Sequence, residues 1–417
     1  MPKVGKKGYI CALDIGSDKV VCLIAQSVPV DGQIDVLGVG YQQAQGIKKG
    51  MITDVESATQ CIQSAVLKAE KEAQLHVSSV IVNVSSSKLV SKIIQSKIEI
   101  EDDHLVTSSD IKRLVDQTLK QVDLADQEVI LQMPLYYILD DQELEDPRGL
   151  SGKILGVKLH LLCLPVSHMK NLETVLNKCR LGIDYKVATP YASALACLTE
   201  EEKKIGAVLI DIGADTTSIA LYLNNILNAI ATLPLGGNLI TKDIAQGLMT
   251  SFSEAERLKT LEGAAFSSPK DENETLNIRV VGESQDNAVY SSTKAYLNDI
   301  IESRVEEMLE TIQMYLSSVS QYGHIATQHV VLTGGASRLE GLREKTASAL
   351  QAHVQLSGPV HVRGLPADWN KPAFATSVGL LRYALNKQSK KSIYKKSEIK
   401  VPRGIFGRIA QWLIQNF

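Results

Sequence analysis

A chain of 417 residues is long enough for two or three domains with a sizeable core. A net charge of −3 and an aromatic content of 5% give no general case for nucleic-acid binding, by charge or by stacking. Six scattered cysteines with no CxxC pair, and eight histidines without ligand spacing, argue against a zinc or disulfide framework and for buried reduced thiols.

The first residues, MPKVGKKGYICALDIG, are basic but lack the apolar core and cleavage site of a signal peptide. No run reaches the ~18 to 20 apolar residues that span a bilayer. Residues 9–25, YICALDIGSDKVVCLIA, read as an apolar β run, a turn Asp14-Ile15-Gly16-Ser17-Asp18, and a second β run. A third strand-like run (IDVLGVGYQ), a Gly-rich turn and an amphipathic helix near residues 54–74 follow. Residues 206–222, GAVLIDIGADTTSIALY, repeat the pattern with Asp211 in place of Asp14. After them come ILNAIATLPL, the turn Gly236-Gly237 and a helical segment near 238–250. The order β-β-β-α occurs twice, which predicts two equivalent α/β halves with a cleft between them.

The residue types of the two turns fit phosphate chemistry. A strand that ends in Asp-x-Gly-x and turns straight back exposes N–H groups, and Gly allows close approach of a phosphate. A carboxylate at the strand end can hold Mg²⁺, usually through water. Two such hairpins face to face would clamp one nucleotide's phosphates. In SFSEAERLKTLEG, residues 251–263, the helical period sets Glu256 and Lys259 on one face. Taken alone, that pair reads as a surface ion pair. HVVLTGGASRLEGL, residues 329–342, ends a β run in Thr333-Gly334-Gly335-Ala336-Ser337 ahead of an expected helix. These glycines would let backbone approach a base or sugar.

Residues 386–403, NKQSKKSIYKKSEIKVPR, carry seven Lys or Arg against Glu398 and read by composition as a flexible basic linker. The last stretch, 404–417, is GIFGRIAQWLIQNF. On a helix Ile405, Phe406, Ile409, Trp412, Leu413 and Phe417 fall within an arc of roughly 140°, with Arg408 outside it. At ~21 Å it would be too short to span a bilayer and long enough to lie on one. A cationic tether suits an anionic leaflet, at about 1 kcal/mol per Lys or Arg near the surface, and Trp412 suits the headgroup zone. The competing reading is a helix docked on the protein's own core.

Together these motifs resemble the actin, Hsp70 and sugar-kinase superfamily. Asp14 to Ser17 and Asp211 to Thr217 look like its two phosphate loops, and Thr189 to Leu195 like its first connecting helix. Thr333 to Ser337 look like its adenosine loop. Within that superfamily the chain is similar, over almost its whole length, to the bacterial FtsA cell-division family. The run from Leu131 to Val166, with PRGLSGKILGVKLHLL at 147–162, resembles that family's 1C domain. The fold implied is α/β: an actin-like duplicated β-β-β-α-β-α core in two lobes. A 1C subdomain replaces actin's 1B, and a C-terminal amphipathic helix follows. The implied boundaries are 1–84, 165–198 and 371–385 for subdomain 1A and 85–164 for 1C. Subdomain 2A takes 199–236 and 301–370, and 2B takes 237–300. The linker is 386–403 and the membrane-targeting helix 404–417.

The resemblance implies ATP and Mg²⁺ in the cleft, with Asp14 and Asp211 near the metal through water. Nucleotide contacts would come from Asp14, Gly16, Ser17, Lys19, Asp211, Gly213, Asp215, Thr216, Thr217, Gly236, Gly237 and Asn238. Glu256, Lys259, Gly334, Gly335, Ala336 and Ser337 complete the set. Ile405, Phe406, Arg408, Ile409, Trp412, Leu413 and Phe417 would bind the membrane. The implied partners are FtsZ, further copies of the chain, later division proteins through 1C, and an anionic membrane surface, but no nucleic acid. The implied place is the cytoplasmic side of the inner membrane at the division site. Ala214 and Asp215 depart from the superfamily's Gly-rich second loop, and Asp215 would repel a terminal phosphate unless Mg²⁺ or water intervened. The expected activity is at most a slow ATPase used as a nucleotide switch, with no general base assigned. Other readings are a pilus-assembly ATPase of the same sub-fold, a sugar or acyl kinase, and an Hsp70-like chaperone. The chaperone reading lacks a peptide-binding domain after the core.

Overall fold

The computed structural model describes residues 8–27, 34–100, 104–124, 126–279, 289–319, 328–360 and 362–397. Two five-stranded sheets share one topology. The first is ordered Gly182–Ala188, Ser79–Val84, Tyr9–Ile15, Lys19–Ser27, Ile34–Gln43, and the second His353–Leu356, His329–Thr333, Ala207–Ile212, Thr217–Leu223, Ile226–Leu233. In each, three antiparallel strands are followed by two parallel ones. Each has a register shift between its second and third strands, at Ile24/Ala25 and at Leu221/Tyr222. These are the same positions when Asp14 is laid on Asp211, so the duplication extends to a backbone irregularity.

The central strands, YICALDI and AVLIDI, are buried almost throughout because helices cover both faces. Helix Val55–Ala73 lies directly on the strand Ile34–Gln43. A Cβ on Gly40 would stand 1.8 Å from the Ala65 carbonyl oxygen, so only glycine admits that approach. Helix Thr189–Cys197 follows the first sheet's last strand and packs on the second sheet; the helix that begins at Ala375 follows the second sheet's last strand and packs on the first. The two helices cross, and their small residues join both sheets in one core containing Ala12, Leu23, Ala192, Leu209, Ala220, Val378 and Leu381. A separate core fills the outer side of each lobe.

Inserted in the first lobe's sequence, between its strands Ser79–Val84 and Gly182–Ala188, is an antiparallel sheet ordered Val90–Glu99, Ile154–Pro165, Gln127–Leu139, Gln142–Leu144, with helix Ser108–Lys120 on it. Thr107 and Asp110 form a capping box at that helix's start. In the second lobe, helices Gly237–Gly247 and Phe252–Leu261 and the hairpin Thr275–Arg279/Val289–Thr293 precede the long helix Lys294–Ser318. The glycine pair Gly334-Gly335 leads into a short 3-10 turn, Gly335–Arg338, before helix Leu342–Leu350 begins.

The last helix corrects one expectation. It runs from Ala375 to Ser397, so residues 386–397 of the expected flexible linker are helical. No Gly or Pro interrupts them, Lys and Gln are good helix formers, and the packed first turns supply the costly nucleus. Residues 398–417, with every expected membrane contact from Ile405 to Phe417, lie outside the described residues.

Candidate functional site between the lobes

The two hairpin turns are built alike. The Gly16 N–H donates to the Lys19 carbonyl at 2.9 Å, and the Gly213 N–H to the Thr216 carbonyl at 2.9 Å. Both turns face one cleft with two joined compartments. The inner one, about 640 Å³, is lined by Asp14, Gly16, Ser17, Lys19, Asp211, Gly213, Asp215, Thr216, Gly334 and Gly335. The outer one, about 1300 Å³, is lined by Lys19, Gly213, Gly237, Asn238, Glu256, Lys259, Gly335 and Ala336. Fifteen of the eighteen expected contacts thus line one continuous cavity.

Thr217, Gly236 and Ser337 do not line it; they hold its walls. Thr217 is buried and donates its hydroxyl to the Leu235 carbonyl at 2.8 Å. Ser337 donates to the Gly334 carbonyl at 2.7 Å. Gly236 wedges a helix start against the second turn, where a Cβ would meet the Ala214 oxygen at 2.6 Å. There Gly237 N–H donates to the Gly213 carbonyl at 2.9 Å and Asn238 N–H to the Ala214 carbonyl at 2.7 Å.

The two aspartates are buried and held by hydroxyls crossing between lobes. Asp14 accepts from Asn83 Nδ2 at 2.8 Å and from Ser377 Oγ at 2.7 Å. Asp211 accepts from Ser193 Oγ at 2.5 Å and from Thr376 Oγ1 at 3.3 Å. Burial pushes the Asp14 carboxyl up to about 6, against the Ser377 hydroxyl and the Lys19 ammonium, with Asp211 adding to the rise. Burial raises Asp211 too, against Ser193, Lys19 and Thr376. Gly334, at φ +90°, packs so closely that a Cβ would stand 2.3 Å from Asp211 Oδ1.

Asp215 is spoken for. One oxygen accepts the Lys49 N–H of the first lobe at 2.9 Å, and the other accepts Asn238 Nδ2 of the second at 2.8 Å. It therefore ties the lobes across the cleft's rim. The Glu256–Lys259 pair is part of the outer wall: Lys259 Nζ reaches Glu256 at 2.7 Å, Thr241 Oγ1 at 2.7 Å and the Gly237 carbonyl at 3.1 Å.

Sequence reading missed Asn83, Lys49, Thr376 and Ser377, and gave Ser193 no role. One signal was available: Tyr191-Ala192-Ser193 and Phe374-Ala375-Thr376 share an aromatic–Ala–hydroxyl pattern at the two helix starts. Among the described residues no group of three or more His, Cys, Asp or Glu is arranged to hold a metal directly. Two carboxylates on opposite walls fit an ion such as Mg²⁺, bound through its water shell.

The fold is that of the actin-like proteins. A PilM–PilN type IV pilus biogenesis complex matches 90% of this chain and 98% of its own at TM-score 0.65 and 16% identity. MreB5 of Spiroplasma citri bound to ADP matches 94% and 99% at TM-score 0.51 and 11% identity. The family models described as cell division protein FtsA and as the SHS2 domain inserted in FtsA match residues 208–379 and 87–163. Curated FtsA proteins align end to end: that of Rhizobium meliloti is 34% identical across 100% of this chain and 97% of its own length. Those of Pseudomonas aeruginosa and Escherichia coli K12 are 33% and 30% identical over 100% and 99% of the chain, and 100% and 97% of theirs. The chain belongs to the FtsA family of cell-division proteins.

Proposed function

We propose that the interlobe cleft binds ATP with Mg²⁺. In this reading the protein self-associates on the inner face of the cytoplasmic membrane, tethers FtsZ filaments there and recruits later division proteins. The observation that carries the nucleotide reading is the convergence of two equivalent Asp–Gly turns, with the Gly334-Gly335 turn, on one cavity. The inner compartment sets Asp14, Asp18, Asp211 and Asp215 against Lys19, so a polyphosphate would be repelled without a divalent cation. Asp14 and Asp211 would hold that cation through water, and bound there it would neutralise charge on the phosphates. The chain's own part is to fix both carboxylates through Asn83, Ser193, Thr376 and Ser377, and to present the Gly16 and Gly213 turns. The outer compartment, with Glu256 and Lys259, would take the adenosine.

This reading makes the nucleotide a switch rather than the substrate of a fast enzyme, and steady-state turnover should stay below about one per second.

 This reading assigns no general base; in it nucleotide occupancy carries the signal. Two experiments test the proposal. Equilibrium dialysis should show ATP binding that needs Mg²⁺ and is lost in Asp211→Ala. Liposome co-flotation should lift FtsZ only with the intact chain, and not with a chain ending at Ser397 or carrying Phe406→Glu and Trp412→Glu. Flotation of this chain without FtsZ would leave a membrane-bound actin-like protein with another partner.

A further inference from the structure

Lys19 is the one cation lining the inner compartment among the described residues. Its ammonium lies 5.5 Å from the ring centroid of Phe374. Phe374 stacks on Trp369 at 4.6 Å and 15°, and Trp369 meets Tyr41 edge-on at 6.4 Å and 77°. Tyr41 is 41% exposed, so the aromatic row runs from the cleft to the surface. The segment carrying Trp369 and Phe374 is pinned at both lobes. On the first lobe, Val36 N–H donates to the Arg363 carbonyl at 2.9 Å. On the second, Gly334 N–H donates to the Pro372 carbonyl at 3.2 Å, and Thr333 Oγ1 to the same oxygen at 3.3 Å.

We infer that Phe374 and Trp369 are positioning residues for Lys19, and that Trp369 reports whether the cleft holds a polyphosphate. The inference rests on the nucleotide reading above. Without the ring, the ammonium has Asp14, Asp18, Asp211 and Asp215 within the same compartment to pair with. A contact with an aromatic face is weaker than a charge-assisted bond to a phosphate. The ring therefore keeps Lys19 aimed into the cleft and releases it when phosphates arrive. Release unloads the stack that Trp369 shares with Phe374.

The chain has two tryptophans, Trp369 and Trp412, so the full chain with Trp412→Phe reads Trp369 alone. Its emission should change on saturation with Mg²⁺-ATP, and the change should vanish in the same chain with Lys19→Gln at its own saturating ATP. Trp369→Leu should weaken ATP binding about three- to ten-fold, with Trp369→Phe restoring it, since the stacked ring rather than the indole supports Lys19. Bound ATP is counted separately on the same samples by equilibrium dialysis with radiolabelled nucleotide. If ATP binds while Trp369 emission stays flat, or changes equally in Lys19→Gln, the inference is overturned and the nucleotide reading stands. If no ATP binds to the unsubstituted chain, the nucleotide reading fails and takes the inference with it.

Discussion

Asp14 is held where burial favours its neutral form, although the proposed metal needs it charged. Its folded value of about 6 exceeds the ordinary 3.8. A raised carboxyl stabilises the fold fully below about pH 4, and that contribution is lost as pH rises through about 6. In the nucleotide-free protein at pH 7.5 the ionised group therefore costs roughly 1–3 kcal/mol. Asp14→Asn should raise the unfolding free energy measured in urea at pH 7.5 by that amount. The difference from the unsubstituted chain should disappear near pH 4, and Mg²⁺-dependent ATP binding should be lost at every pH. Equal stability at pH 7.5 would mean that Asn83 and Ser377 compensate the buried charge fully. The Asp–Gly turn itself was legible in the sequence, because a tight turn and a strand-end carboxylate are local features. Its support was not: Ser377 lies 363 residues from Asp14, and no local pattern joins them.

At the scale of elements, the crossing of the two interlobe helices governs the site. A Cβ on Gly379 would stand 1.8 Å from the Ala192 carbonyl oxygen, a backbone atom with nowhere to go. Alanine is the better helix former by about 1 kcal/mol, so propensity alone predicts that Gly379→Ala stabilises. The collision outweighs it: parting packed helices costs about 1–3 kcal/mol or more. The expected outcome is a net loss of roughly 1–2 kcal/mol in chemical denaturation. ATP binding should also weaken, since Ser193 and Ser377 lie on the displaced helices and hold Asp211 and Asp14. A stabilised variant would show that the helices separate freely. Most elements of the two cores were readable, because fully apolar strands and amphipathic helices announce themselves by period. The end of the last helix was not. Lysine-rich composition describes a linker and a solvated helix equally well, and only the packed turns upstream decide between them.

At the scale of the molecule, the repeated topology was legible because two copies of one pattern can be compared within one chain. How the inserted sheet docks was not, since that depends on contacts between distant strands. His160 makes one of them. It is 1% exposed on the strand Ile154–Pro165, its Nδ1 bonded at 3.0 Å to the Leu227 carbonyl of the second lobe's edge strand. A carbonyl only accepts, so Nδ1 carries the proton and Nε2 accepts from Ser91 Oγ at 2.7 Å. Burial holds the imidazole's value below the ordinary 6.5, with the Leu227 contact opposing part of the shift. A depressed histidine contributes stability above about pH 6.5 and loses it as pH falls through the lower folded value. Acid should therefore loosen this junction before it unfolds either lobe. Hydrogen exchange should show faster exchange across Ile226–Leu233 as pH is lowered below about 6.5, after correction for intrinsic rates. His160→Gln keeps a donor for the Leu227 carbonyl and cannot take up the proton, so the same strand should keep its protection in that variant. If both chains lose it in parallel, other groups drive the acid response and His160 is only a packed side chain.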